Sequence, residues 1–228
     1  MFQSVRPYAA AAGIVDPVIC YQGAAVVDPG SGQFLLHEPI PVDLALETIA
    51  SVEDAGFTLN CYVDDELYVS VMTDEAERYA SFQNLQVHEV GDLASWLDRP
   101  PTKLVSVGDP AELDQLGRAM RERFDGRLHV AKSLPIFLEF SRSGITKGSG
   151  LAFLAGRLGF SAEHAIAFGD GENDVEMLEW AGYAVAVANA HERLLRIADF
   201  VCPPAAEEGV AQVIEALLAR NAAAGGAT

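Results

Sequence analysis

"AIAFGDGENDVEML", residues 165–178, sets the class of the fold. Ala165–Phe168 is a short unbroken apolar run, as expected of a strand buried on both faces. Gly169-Asp170-Gly171 interrupts it, and "ENDVEMLEWAG" then reads as a helix stopping at Gly182. The same alternation extends outward. Upstream, "GSGLAFLAGRL" (148–158) puts Leu151, Leu154, Ala155 and Leu158 on one helical face before Gly159. Downstream, "YAVAVA" (183–188) reads as a second buried strand, "ERLLRIA" as a helix, "DFVC" (199–202) as a third strand and "GVAQVIEALLAR" as a last helix. Strand and helix alternating at this spacing predict an α/β fold, a parallel sheet with crossover helices.

The middle of the chain is patterned differently. Helices are expected over 41–55, 73–83 and 110–124, and strands over 57–63, 67–71, 103–107, 127–131 and 135–140. Asp64-Asp65 marks a turn and residues 98–101 a loop. Adjacent strands mixed with helices predict a smaller α+β unit with antiparallel pairs. The first 36 residues hold a helix (2–12), a strand near 18–20 and two strands turned at Pro29-Gly30-Ser31-Gly32. The Ala/Gly tail, 221–228, reads as disordered.

With 15 basic and 33 acidic residues the formal net charge is −18, which argues against binding nucleic acid or anionic lipid. Cys20, Cys61 and Cys202 are odd in number, widely spaced and set in apolar runs, so buried free thiols are expected rather than disulfides or a zinc site. No apolar stretch approaches the roughly 20 residues needed to cross a bilayer, and no signal-type segment is present. A cytoplasmic protein, monomeric or weakly self-associating, is the expectation.

Ligands of an open parallel sheet sit beyond the carboxyl ends of its strands, where Asp170 falls. Asp170 and Asp174 stand one helical turn apart, and two converging carboxylates repel unless a cation joins them. A hard, oxygen-loving ion such as Mg2+ fits. Other readings stand beside this one: Asp170 caps the helix, and Glu172 and Glu176 are solvated or favoured by its dipole. A calcium loop is rejected because its glycine would fall on Val175, and "GDGEND" lacks the third glycine of a dinucleotide fingerprint. In "SGITKGSG" (143–150), Lys147 opens a helix, where the dipole disfavours a cation by roughly a few tenths of a kcal/mol. That placement suggests an anion nearby, with an ordinary exposed lysine as the other reading. It is not a P-loop, since the glycines that motif requires before its lysine are missing. A cation held by acids, with a lysine to neutralise an anion, is equipment for phosphoryl transfer.

Residues 145–190, "ITKGSGLAFLAGRLGFSAEHAIAFGDGENDVEMLEWAGYAVAVANA", followed by "EEGVAQVI", closely resemble the haloacid dehalogenase-like phosphatases, specifically the Cof-type branch, subclass IIB. "ICYQGAAVVDPGSGQFLLHEPIP" (19–41) resembles that branch's entry into its cap, and "SLPIFLEFSRSGITKG" (133–148) its return to the core. The resemblance implies a Rossmann-like core over 1–36 and 136–228 and an inserted α+β cap over 37–135 that closes on the substrate. It implies that Lys147 balances the charge of nucleophile and phosphoryl group, and that Asp170 and Asp174 hold Mg2+. Asn173 and Asn189 would orient the metal site or the phosphate. The substrate would be a small phosphorylated metabolite, a sugar phosphate or phosphorylated cofactor.

That family's nucleophile is the first Asp of D-x-D-x-T, whose second Asp is the general acid and base. No two aspartates here are two positions apart, and the second motif, a Thr or Ser commonly followed by Gly-Arg, is also missing. "MFQSVRPYAA" is like the helix that follows that motif, so Met1 reads as an internal methionine of a longer ancestor, lacking roughly 30 residues or more. Alternatives are a non-catalytic chain that binds phosphate esters or partners, and one in which another acid such as Asp16 or Asp28 replaces the nucleophile or a separate chain supplies the missing strand. In-frame translation upstream of Met1 is expected to yield D-x-D-x-T within a short distance; its absence would count against the first reading.

Overall fold

The computed structural model describes residues 1–225, which separate between Ile145 and Thr146 into two units. The first begins with helix α1 (Phe2–Ala11) and an antiparallel sheet of β1 (Val18–Cys20), β2 (Ala25–Val27) and β3 (Phe34–His37). Asp28 Oδ1 accepts from the Ser31 amide and hydroxyl in the expected turn between β2 and β3. There follow α2 (Val42–Asp54), β4 (Asn60–Val63), β5 (Glu66–Val69), α3 (Asp74–Gln83), β6 (Val87–Glu89), α4 (Leu93–Trp96), β7 (Lys103–Val107), α5 (Pro110–Arg123), β8 (Leu128–Leu134) and β9 (Phe137–Arg142). Strands β4 to β9 form one sheet, ordered β6-β5-β4-β7-β9-β8 and antiparallel except for β5–β6. Asp64 and Asp65 take φ of 52° and 65°, closing β4–β5 as a two-residue hairpin whose twist matches its strands.

The crossover through α3 moves outward from β5 to β6, and the one through α4 returns past β5 and β4 to β7. Right-handed connections therefore place α3 and α4 on opposite faces. Cys61, Val63, Leu104 and Phe140 accordingly pack with α2, α4 and α5, while Tyr62, Leu67, Val105 and Phe137 pack with Tyr79 and Ala80 of α3. This is why all four residues of β4 are buried.

Two features depart from expectation. β6 and α4 carry too few residues to show a period, and were not expected. The division of the chain also differs. β9 hydrogen-bonds into the six-stranded sheet, so that sheet runs on to Arg142 instead of ending at 135. Residues 1–36 pack in the same unit: the Phe2 and Gln3 amides donate to Asp65 (2.9 and 2.8 Å), as does the Tyr21 hydroxyl, and Phe2, Tyr21 and Val27 join the α3-side cluster.

The second unit comprises α6 (Lys147–Leu158), β10 (Ile166–Gly169), α7 (Val175–Trp180), β11 (Tyr183–Val187), α8 (Glu192–Ile197), β12 (Phe200–Cys202) and α9 (Gly209–Gly225). Its strands form the expected parallel sheet, ordered β10-β11-β12. Among the described residues β10 pairs on one side only, with β11. Residues 221–225 of the tail continue α9, and 226–228 lie outside the described residues. Cys20, Cys61 and Cys202 are free and buried; burial pushes the Cys20 thiol up to about 11 and that of Cys61 up to about 12. No described helix is long and apolar enough to cross a membrane.

On the α3-side face, Lys103 Nζ lies 3.1 Å from Glu139 Oε1 and 5.5 Å from the Tyr62 ring centre, with side-chain exposures of 7% and 12% for the pair. Ser133 donates to the same carboxylate at 2.6 Å. Burial opposes both charges, but Glu139 and Tyr79 together lift the Lys103 ammonium above its ordinary value, and Lys103, Ser133 and the chain's amino terminus together hold the Glu139 carboxyl below its own. Removing one partner strands the other. Lys103→Met should destabilise the fold by about 3–5 kcal/mol, whereas Lys103→Met with Glu139→Leu should recover most of the loss, as read by urea denaturation at pH 7. Because the Glu139 value is lowered, the pair's contribution should be complete above its ordinary 4.5 and be lost as the pH falls through the lowered value.

Candidate functional site

Helix α6 starts at Lys147 because Thr146 caps it. Thr146 Oγ1 accepts from the Ser149 amide (3.1 Å), and Ser149 Oγ accepts from the Thr146 amide (3.0 Å), a reciprocal capping box. The buried positions of α6 are Gly148, Gly150 and Ala155; of the expected face Ala155 is buried, Leu151 and Leu154 are half-buried, and Leu158 is 45% exposed. The reason is close approach. A Cβ on Gly148 would stand 2.5 Å from the Glu176 carbonyl oxygen of α7, so only glycine fits.

That approach brings Lys147 to Asp174. Lys147 Nζ forms an ion pair with Asp174 Oδ1, and Asp174 Oδ2 accepts from the Asp170 and Gly171 amides, each at 3.0 Å. Asp174 is only 2% exposed. The anion that the position of Lys147 calls for is thus, in the first instance, a carboxylate of the chain itself. Gly169 makes room for it, since a Cβ there would lie 2.7 Å from Asp174 Cβ and 2.9 Å from Leu178 Cδ1.

The helix expected from Glu172 is instead a single 3-10 turn, Glu172–Asp174, with α7 beginning at Val175. Asp174 therefore turns back onto the loop's own amides, while Asp170, beyond the end of β10, is exposed. Asn173 lies over the same loop: a Cβ on Gly171 would meet its Oδ1 at 2.5 Å. Asn189 is exposed on the loop after β11, which is tied to the first loop where the His191 amide donates to the Asp170 carbonyl at 2.8 Å. Glu172, expected to be solvated or favoured by the helix dipole, is 61% exposed and lies 3.2 Å from Arg193. Nothing in local spacing pointed to Arg193, 21 residues on; the parallel pairing of β10 with β11 brings it there.

Mg2+ keeps several waters and takes one or two carboxylates along with substrate oxygens. The donors fit that requirement unequally. Asp174 Oδ2 already serves two amides and Oδ1 serves Lys147, whereas the exposed Asp170 carboxylate is placed to take a hard cation. Among the described residues no group of three or more His, Cys, Asp or Glu converges.

A family model described as haloacid dehalogenase-like hydrolase matches residues 1–214. A crystal structure from Thermotoga maritima aligns with a TM-score of 0.77 at 34% identity, covering 87% of this chain and 74% of that one. The pyridoxal phosphate phosphatase of Escherichia coli is 26% identical over 221 residues, 92% of this chain and 80% of the relative. A phosphoglycolate phosphatase of Methanosarcina mazei is 47% identical over 73 residues, 32% of each chain.

Gly169→Ala should displace Asp174 and cost about 1–3 kcal/mol by overpacking. A thermal melt of the purified chain, compared with Gly156→Ala, where a Cβ meets nothing within 4 Å, measures it.

Proposed function

This chain belongs to the haloacid dehalogenase-like hydrolases, and we propose that it acts as a magnesium-dependent phosphatase on small phosphate esters, sugar phosphates or phosphorylated cofactors. The observation that carries the reading is the pairing of Lys147 with Asp174 beside the exposed Asp170, at the carboxyl end of a parallel strand. The relationship to the Escherichia coli pyridoxal phosphate phosphatase supports a phosphorylated cofactor or metabolite as substrate.

In this reading the ester phosphorus passes to a carboxylate oxygen of a nucleophilic aspartate outside the 228 residues, and the ester oxygen leaves with a proton from a general acid. Water then cleaves the aspartyl-phosphate and releases inorganic phosphate. Bound Mg2+ would neutralise charge on the phosphoryl oxygens. Asp170 would supply its carboxylate to that ion. Lys147, steadied by Asp174, places a positive charge where the transferring group gathers negative charge, a contribution made before reaction and without reorganisation. Asn173 and Asn189 line the loops that would orient the phosphate.

Release of phosphate from p-nitrophenyl phosphate, with and without Mg2+, tests the proposal on this chain and on its reading frame extended upstream. The extended protein should turn over only with Mg2+, and Lys147→Ala should lower its kcat/KM by about 10²–10³ with an unchanged circular dichroism spectrum. Asp170→Asn should raise the Mg2+ concentration needed. Phosphate-ester binding without turnover in both proteins would favour the non-catalytic reading instead.

A further inference from the structure

The loops at the carboxyl ends of β10 and β11 meet at two points, through the His191 amide on the Asp170 carbonyl (2.8 Å) and through Arg193 Nη1 on Glu172 Oε1 (3.2 Å). We propose that Arg193 is a positioning residue for the candidate metal site, holding the 169–174 loop so that Asp170 presents its carboxylate to a divalent cation. This rests on the reading of Asp170 as a metal ligand.

The loop needs such a hold. Its inner side is fastened by Asp174, but residues 172–174 make one 3-10 turn, and α7 supports the chain only from Val175. On the outer side Glu172 is 61% exposed, and its carboxylate pairs with Arg193 of α8. Arg193 stands in the first turn of α8, where the dipole disfavours a cation, the same mismatch that marks Lys147. In each case a carboxylate of the 170–174 loop answers it. Arg196, one turn on, serves as an internal contrast: it pairs with Glu192 of its own helix at 2.7 Å.

Charge and position predict opposite signs. Arg193 brings a positive charge close to a site for a cation, so by Coulomb's law alone its removal tightens metal binding. If Arg193 holds the loop, removal weakens binding. The pair is exposed, so the change is modest, roughly two- to fivefold.

Titration of the purified chain with Mn2+, together with amide hydrogen exchange at Asp170 and Gly171, decides the matter. Arg193→Ala should weaken Mn2+ binding about two- to fivefold and speed exchange at both amides, with an unchanged melting temperature. Exchanging the charges, Glu172→Arg with Arg193→Glu, should restore both, and Arg196→Ala should alter neither. Tighter or unchanged binding in Arg193→Ala, or unchanged exchange, overturns the proposal. Asp170→Asn separates the two levels. If it leaves Mn2+ affinity unchanged, the metal-ligand reading fails and the proposal with it; if it weakens binding while Arg193→Ala does not, only the positioning role fails.

Discussion

One buried carboxylate organises the second unit. Asp174 is withdrawn from water, which costs several kcal/mol unless its charge is met. It is met three times, by the Lys147 ammonium and the amides of residues 170 and 171. Those contacts join the start of α6, the loop after β10 and the start of α7 into one rigid corner. The nearby glycines follow from it. Gly169 leaves room for Asp174 Cβ, and Gly148 lets α6 approach α7 closely enough for Lys147 to reach. Lys147, Gly148, Gly169 and Asp174 are thus solutions to a single packing and charge problem.

The first unit solves a different problem, that of covering both faces of a six-stranded sheet. Opposed crossovers put helices on each side, and the residues of β4 alternate between two apolar clusters. Polar groups in the α3-side layer are paired with one another: Lys103 with Glu139, Tyr62 with Tyr79, and Asp65 with Tyr21 and the first amides of α1. The first residues of the chain are drawn into this unit because Asp65, whose positive φ comes from the hairpin turn, aims its carboxylate at the unsatisfied amides that begin α1.

Much of this was legible in the sequence where a local rule carries the information. The parallel strands around 165–202, the turns at Asp64-Asp65 and Pro29–Gly32, and the start of α6 at Lys147 and its stop at Gly159 each follow from residue type and period over a few positions. β6 and α4 escaped because three or four residues show no period. Gly148 and Gly150 on the buried side of α6 escaped because hydrophobicity says what prefers burial, not how closely a neighbouring backbone comes. The boundary at residue 136 misled because strand partners across a sheet are set by hydrogen bonds between distant segments.

By itself the sequence determined that Lys147, Asp170, Asn173, Asp174 and Asn189 fall at helix starts and strand ends, since those positions follow from local pattern. It also determined that these 228 residues contain no D-x-D-x-T. Only the tertiary structure divided the labour between the two aspartates, burying Asp174 against Lys147 and leaving Asp170 exposed, and only it paired Glu172 with Arg193. The physical reason is that a carboxylate's role depends on which donors surround it and how much water it keeps. Both are properties of segments that lie 21 to 27 residues apart along the chain and touch only once the sheet and its helices have formed.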